Sequence, residues 1–341
     1  MRSVATVGFL ALALAGCSET NLSRPTSTEV HFQNPPTAVD ILLVVDDSGS
    51  MAAEQGKLAR GFETFVRYFD VADVDYHIGV TTTDMDTRAG ALADRGGSKV
   101  ISRETDDPAD VFFENVRVGT VGSADERGMD AATAALSEEL AETNEGFLRE
   151  DALLSVIFVS DEEDASYGPT AEWLQDLRDL KGPGARRDAV NVSALVGVDL
   201  ETGEPADCGQ VPGEPNEGAF AGHRYVDIAR STGGVVGSIC LELYDDVISA
   251  MGLASSRLRD RFTLRTAPVL DTLEVRLFIP DTDEFDGEGL LTPPEGVDGE
   301  WAWEFQELET ESTPVYRIQF LDAGSLPPVA TRVVIRYEAR P

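Results

Sequence analysis

Uninterrupted apolar runs alternate along this chain with stretches whose apolar residues recur at helical spacing. Val39 to Val45 is apolar except for Asp40, as expected of a strand buried on both faces. Leu58, Phe62, Phe65, Val66 and Phe69 then follow a helical period. Tyr76 to Thr82 reads as a second strand, and residues 84 to 110 are irregular and rich in Gly and Asp. Met129, Ala132, Leu136 and Leu140 mark a helix, and Leu153 to Ser160 a further buried strand. Trp173, Leu174, Leu177 and Leu180 give a helix, and Val190 to Val198 a strand. Tyr225, Ile228 and Ala229 predict a helix, and Val235 to Ile239 a short strand. Leu243, Val247, Met251, Ala254 and Leu258 then predict a last helix. Strand and helix in strict alternation predict a mainly parallel sheet with helices on both faces, a doubly wound α/β domain over residues 38 to 260. Ligand sites in such sheets lie at the carboxyl ends of the strands.

Beyond residue 260 the period changes to two. Leu273, Val275, Leu277 and Ile279 alternate with polar residues, as do Trp301, Trp303 and Phe305. The same holds for Tyr316, Ile318 and Phe320, and for Val333, Ile335 and Tyr337. Gly287, Pro293, Pro294, Gly299, Gly324 and Pro327 supply the turns between these runs. Residues 261 to 341 therefore read as a small antiparallel β module.

Charge narrows the partners. The chain carries 62 Asp and Glu against 27 Lys and Arg, a formal net charge of −35. Such a surface repels phosphate backbones and gives no basic patch for anionic lipid, so nucleic-acid binding is disfavoured. Solubility accounts for the acidity as well as cation attraction does. Hydrophobic residues make up 42% of the chain, enough for a sizeable core.

The first residues read as an export signal. Arg2 precedes an apolar run from Val4 to Ala15, too short to span a bilayer, and small residues follow. Leu14-Ala15-Gly16-Cys17 resembles the bacterial lipobox. That resemblance implies a signal peptide over residues 1 to 16 and acylation of Cys17. Ser18 in the next position resembles sorting to the outer membrane of a Gram-negative envelope, on its periplasmic or surface face. Membrane attachment is then expected through the N-terminal lipid alone. Polar residues with Pro25, Pro35 and Pro36 predict a tether over residues 17 to 37. Of the three cysteines, Cys208 and Cys240 remain. An exported chain favours their pairing over two free thiols, and closing a loop of about 30 residues stabilises by roughly 3 kcal/mol. Two cysteines and three scattered histidines do not make a zinc ligand set.

The strongest local signal is Asp46-Asp47-Ser48-Gly49-Ser50, between the first buried strand and the first helix. Asp46, Ser48 and Ser50 offer one carboxylate and two hydroxyls, the oxygen donors that hard cations such as Mg²⁺ take. D-x-S-x-S in this place resembles the metal-ion-dependent adhesion site of von Willebrand factor type A domains. That family adds a Thr from a second loop and an Asp from a third. Asp161, closing the run Val156-Ile157-Phe158-Val159-Ser160, stands where the Asp is implied. Ser123, with Gly128 and Met129 five and six positions on, stands where the Thr is implied; Asp125 and Glu126 are alternatives in the same loop. The resemblance, over residues 38 to 260, implies that Asp46, Ser48, Ser50, Ser123 and Asp161 hold Mg²⁺ (or Mn²⁺). A protein partner's carboxylate would fill an open coordination position.

Each residue also has a plain structural reading. Ser48 and Ser50 suit a helix cap near Met51, Ser123 and Glu126 suit a capping box, and Asp161 to Asp164 suit a solvated acidic loop. Asp47 and Glu162 to Asp164 read as surroundings of the site rather than ligands. Competing chemistry fails on spacing. Gly56-Lys57 lacks the earlier glycine and following hydroxyl of a P-loop, no G-x-S-x-G surrounds Ser48, and Ser48 stands where an aspartyl phosphatase needs an acid. His31, His77 and His223 are not grouped. Asp281 to Gly287 carries Phe285 at the fifth position, against a Ca²⁺ loop. The expectation is a cation-dependent, protein-binding lipoprotein of the bacterial envelope, for adhesion or assembly, and not an enzyme. A metal-independent scaffold and a phosphoester hydrolase using the same loop are the alternatives. The sequence sets no oligomeric state.

Overall fold

The computed structural model describes residues 25–123, 125–182, 188–210, 218–280, 289–292, 301–309, 313–321 and 325–340. The signal segment, Cys17 and the acidic run from Asp281 to Gly287 lie outside the described residues. No helix among those described is long and apolar enough to cross a membrane.

The elements in chain order are β1 (Thr26–Phe32), β2 (Ala38–Val45), α1 (Ala52–Ala59), α2 (Phe62–Ala72), β3 (Asp75–Thr82), α3 (Pro108–Asn115) and α4 (Gly128–Ala135). Then come β4 (Leu153–Val159), α5 (Thr170–Leu180), β5 (Val190–Val196), α6 (His223–Thr232), β6 (Val236–Ser238) and α7 (Asp245–Ser256). The remainder is β7 (Arg261–Leu264), β8 (Glu274–Phe278), β9 (Leu290–Leu291), β10 (Trp303–Leu308), β11 (Val315–Phe320) and β12 (Arg332–Glu338).

Strands β2 to β6 form one parallel sheet in the order β3-β2-β4-β5-β6. Both of its faces are covered, which is why its strands are apolar on successive residues. Ile41, Leu43 and Val45 point into a core with Phe62, Phe65, Phe69, Ile248 and Met251 of α2 and α7. Leu42 and Val44 point the other way, to Met129, Trp173, Leu177 and Tyr225 of α4, α5 and α6. Each such fully buried side chain contributes about 1.5–3 kcal/mol. At Gly61, just before α2, an added Cβ would lie 2.3 Å from Ile248 Cδ1 of α7, which would have to move. The doubly wound α/β domain is thus the observed architecture.

The β module consists of two antiparallel sheets, β1-β12-β8-β9 and β10-β11-β7. Their inward residues, among them Val275, Leu277, Ile335 and Tyr337 facing Phe262, Ile318 and Phe320, join the core under α2 and α7. Of the expected tether over residues 17 to 37, residues 17 to 24 lie outside the described residues, and the described part contains a strand. Thr26–Phe32 is a strand, paired along its whole length with β12. Ser27, Glu29 and His31 face inward: Glu29 is buried and accepts hydrogen bonds from Tyr337 Oη (2.6 Å) and Arg265 N (2.8 Å). Val30 and Phe32 are instead 50% and 51% exposed. A strand with its apolar residues outward carries no period-two core signal, so it reads as a linker.

Cys208 and Cys240 are joined in a disulfide with Cα atoms 6.1 Å apart. It ties the segment after β5 to the one after β6.

Candidate metal centre

The topology dictates where a site forms. β2 lies between β3 and β4. The chain leaves β2 toward β3 on one side and reaches β4 on the other, so the loops after β2 and β4 diverge and leave a crevice at their carboxyl ends. Val45 and Val159 are register partners, and Asp46 N donates to Val159 O at 2.9 Å. Asp46 and the pair Ser160-Asp161 therefore meet at that crevice.

Asp46 is fully buried. Its Oδ1 accepts from Ser48 N (2.7 Å) and its Oδ2 from Ser160 Oγ (2.6 Å). The hydroxyls of Ser48 and Ser50 are hydrogen-bonded to each other at 3.1 Å. The Asp161 carboxylate is buried, close enough to Ser50 and Asp46 for both to act on its titration. Four of the five anticipated residues, Asp46, Ser48, Ser50 and Asp161, are thus brought together. The capping alternative for the serines does not hold: α1 has Met51 as its N-cap residue, with no side-chain capping bond.

Ser123 is half-buried in the second loop. Its backbone N–H bonds the Asp84 carboxylate, and its hydroxyl accepts from Asp125 N at 3.1 Å. Its loop is attached to the first one through Gly122 N, which donates to Asp47 O at 2.9 Å. Space is tight there, since a Cβ on Gly122 would lie 2.3 Å from the Asp47 carboxylate. The capping box is not formed, because α4 is capped by Arg127 without a side-chain bond and Glu126 turns elsewhere. Asp125 is exposed, whereas Glu126 is 1% exposed, its Oε2 accepting from Thr83 Oγ1.

The electrostatics are those of an uncompensated acidic cluster. Burial, then the neighbouring Asp46, pushes Glu126 up to about 9. Burial raises Asp161 to about 7, against its bond from Ser50, and Asp46 adds to the rise. Burial, then Asp84 and Asp46, raises Asp47 to about 6. Burial also raises Asp46, against its hydrogen bonds, and burial with Asp46 raises Glu162. Asp84 goes the other way: burial is outweighed by bonds from Thr87, Asp86 and Ser123, which hold it below the usual range. Among the described residues no Lys or Arg forms an ion pair with Asp46, Asp47, Glu126, Asp161 or Glu162. Asp47 Oδ1, Glu126 Oε1 and Asp161 Oδ1 are buried with no hydrogen-bond partner. Buried carboxylate oxygens without donors are costly, and a bound cation is one way in which proteins satisfy them.

The residues fit a hard divalent cation in donor type, with carboxylates and hydroxyls and neither imidazole nor thiolate. Asp46 and Asp161 would supply charge and Ser48 and Ser50 hydroxyl oxygen. Among the described residues no three acidic, histidine or cysteine side chains converge as a ligand set by themselves. The hydroxyls are therefore integral to the fit.

No family profile and no curated protein matches the chain by sequence. Solved structures do match. One is described as von Willebrand factor type A from Catenulispora acidiphila, with 11% identity over 95% of this chain and 67% of that one, at a TM-score of 0.36. Two crystal forms of proximal thread matrix protein 1 from the mussel byssus match at 13% and 15% identity. They cover 66% and 67% of this chain and 47% and 48% of theirs, with TM-scores of 0.33 and 0.34. Identities and scores this low assign no function. Beside the anticipated set, the fold brings Ser160 onto Asp46, and it buries Glu126, one of the two alternatives in the Ser123 loop, against Thr83. Ser160 immediately precedes Asp161, and that adjacency was its only sequence signal. Glu126 had only its place in the Ser123 loop.

Proposed function

We propose that this protein binds a protein partner through a divalent cation, Mg²⁺ or Mn²⁺, held at the carboxyl ends of β2 and β4. The carrying observation is the meeting of Asp46, Ser48, Ser50 and Asp161 at the switch point of the sheet, with Asp161 Oδ1 buried and unpartnered. The cation supplies positive charge that the chain itself does not provide there. The hydroxyls bind it without adding negative charge, so it keeps an affinity for an incoming acid. Asp46 is oriented for this by Ser48 N and Ser160 Oγ, which hold both of its oxygens. The function is binding rather than turnover. The partner's contribution is an Asp or Glu side chain.

The same reading places the protein in a bacterial envelope, anchored to the outer membrane by lipid on Cys17. Mass spectrometry of the membrane-extracted mature chain tests this: it should begin at an acylated Cys17.

Titration calorimetry of the full mature chain with Mg²⁺ tests the site. Asp46→Ala should abolish binding and leave the circular dichroism spectrum unchanged. Unchanged Mg²⁺ affinity in that variant removes the assignment. Capture of a partner from envelope extract should be lost with EDTA; capture indifferent to EDTA favours the metal-independent scaffold.

A further inference from the structure

The outer face of the sheet β1-β12-β8-β9 differs from the rest of this acidic chain. Side chains of a strand alternate between faces, and the inward ones of β8 and β12, such as Val275, Leu277, Val333 and Ile335, lie in the core. Register sets the outward ones. Thr28 is opposite Arg336, Val30 opposite Val334 and Phe32 opposite Arg332. Arg332 is in turn opposite Phe278, and Val334 opposite Arg276. Arg332 Cζ lies 4.0 Å from the centre of the Phe278 ring, and Arg276 Nε lies 3.6 Å from Glu274. Thr26, Thr28, Glu274, Arg276, Val334 and Arg336 line one open groove. Arg332 and Arg336 are exposed, as are Val30, Phe32 and Leu291. Against the arginines the same rows carry Glu274 and Glu338. The face is thus net positive and partly apolar, on a chain whose net charge is −35. No basic run in the sequence announces it, because Arg276 and Arg332 come together only when β8 and β12 pair.

We propose that this face docks on an anionic bilayer, with Arg276, Arg332 and Arg336 against lipid phosphates and Val30, Phe32 and Leu291 at the headgroup boundary. This rests on the reading of Cys17 as the lipid-bearing residue and adds a second contact to the lipid. Thr26 is nine positions after Cys17, so β1 begins at most about 30 Å from the anchor. That tether holds the face at high effective concentration beside the membrane. Guanidinium groups take phosphate oxygens in pairs, and their stems rest on apolar neighbours, as Arg332 does on Phe278. The phosphates that attract this face repel the acidic remainder of the chain, so the attachment is oriented.

The test needs no variant. The full mature chain is coupled through its Cys17 thiol to a maleimide lipid, which supplies the anchor chemically, and is placed on vesicles of phosphatidylcholine alone or with about 30% phosphatidylglycerol. Phenylglyoxal, a neutral arginine reagent, is applied and each modified residue is quantified by mass spectrometry. Arg276, Arg332 and Arg336 should react at least about three-fold more slowly on the anionic vesicles, and about 0.5 M salt should lift that protection. Arg60, exposed in the α/β domain, should react equally on both. Equal rates for the three arginines on the two kinds of vesicle overturn this inference alone. Protection by soluble polyglutamate but not by anionic vesicles also overturns it, and assigns the face to an acidic protein. Protection that follows the surface density of the chain and not the lipid overturns it in favour of a second copy. A membrane-extracted chain with no acyl group on Cys17 overturns it together with the anchor reading.

Discussion

Two buried aspartates lie at opposite ends of the same strand, and they are treated in opposite ways. Asp40, at the amino end of β2, is fully buried and accepts from Arg149 Nε and Arg149 N, each at 2.7 Å, with Lys181 Nζ at 3.7 Å. Asp46, just past the carboxyl end, is as deeply buried but meets only hydroxyls, an amide and other acids. At one end the chain supplies paired cations; at the other, among the described residues, no Lys or Arg forms an ion pair and more carboxylates are added. A buried charge left to repulsion by its own chain is poor for stability and suited to an external ion.

The largest effect expected from this contrast is at the compensated end. Asp40→Ala leaves Lys181 buried without its partner, and stability should fall by about 3–5 kcal/mol in urea unfolding. Asp46→Asn, in metal-free protein, should cost nothing or stabilise, since it removes charge from the cluster. Equal losses in the two variants break the comparison. Next in size is the effect of the cation: Mg²⁺ at about one hundred times its Kd should stabilise the wild type by about 2.7 kcal/mol and leave Asp46→Asn unchanged.

Acid sharpens the contrast further. Glu126, Asp161 and Asp47 are raised in the folded chain from 4.5, 3.8 and 3.8 to about 9, about 7 and about 6. Between the ordinary and the raised values the folded chain holds protons that the unfolded chain has released. Their contribution to stability is therefore complete at low pH and is lost as pH rises toward 9. The metal-free melting temperature should fall between pH 6 and pH 9. Saturating Mg²⁺ should flatten that slope, because it binds the deprotonated ligands. An identical slope with and without Mg²⁺ counts against the cluster as a cation site. The smallest effect lies in the β module. Burial lowers His31 from 6.5, so the unfolded chain takes up its proton first and stability declines as pH drops below about 6.5. His31→Gln should reduce that decline slightly in acid melts between pH 6.5 and pH 5.

The legible part of the site follows from local pattern. Asp46, Ser48 and Ser50 follow one apolar run and Asp161 ends another, and both runs were readable as buried parallel strands. Parallel strands that are neighbours in a sheet bring like ends together, so placing the two strands placed the two aspartates. β1 was not legible, because Val30 and Phe32 face outward while Glu29 and His31 face the module. The position of Glu126 was not legible either. Ser123-x-x-Glu126 has the form of a capping box, and Thr83 and Ala165, which draw Glu126 inward instead, are remote in sequence.

By itself the sequence determined the alternation of elements, the doubly wound class and the acidic loop at a strand end, because hydrophobic period and local residue type act over short distances along the chain. Tertiary structure alone decided which acids are compensated. Arg149 lies 109 residues from Asp40, and Glu126 becomes a buried carboxylate only when the loops after β3 and β4 close on it. Charge compensation depends on separation in space, and that separation is set by packing.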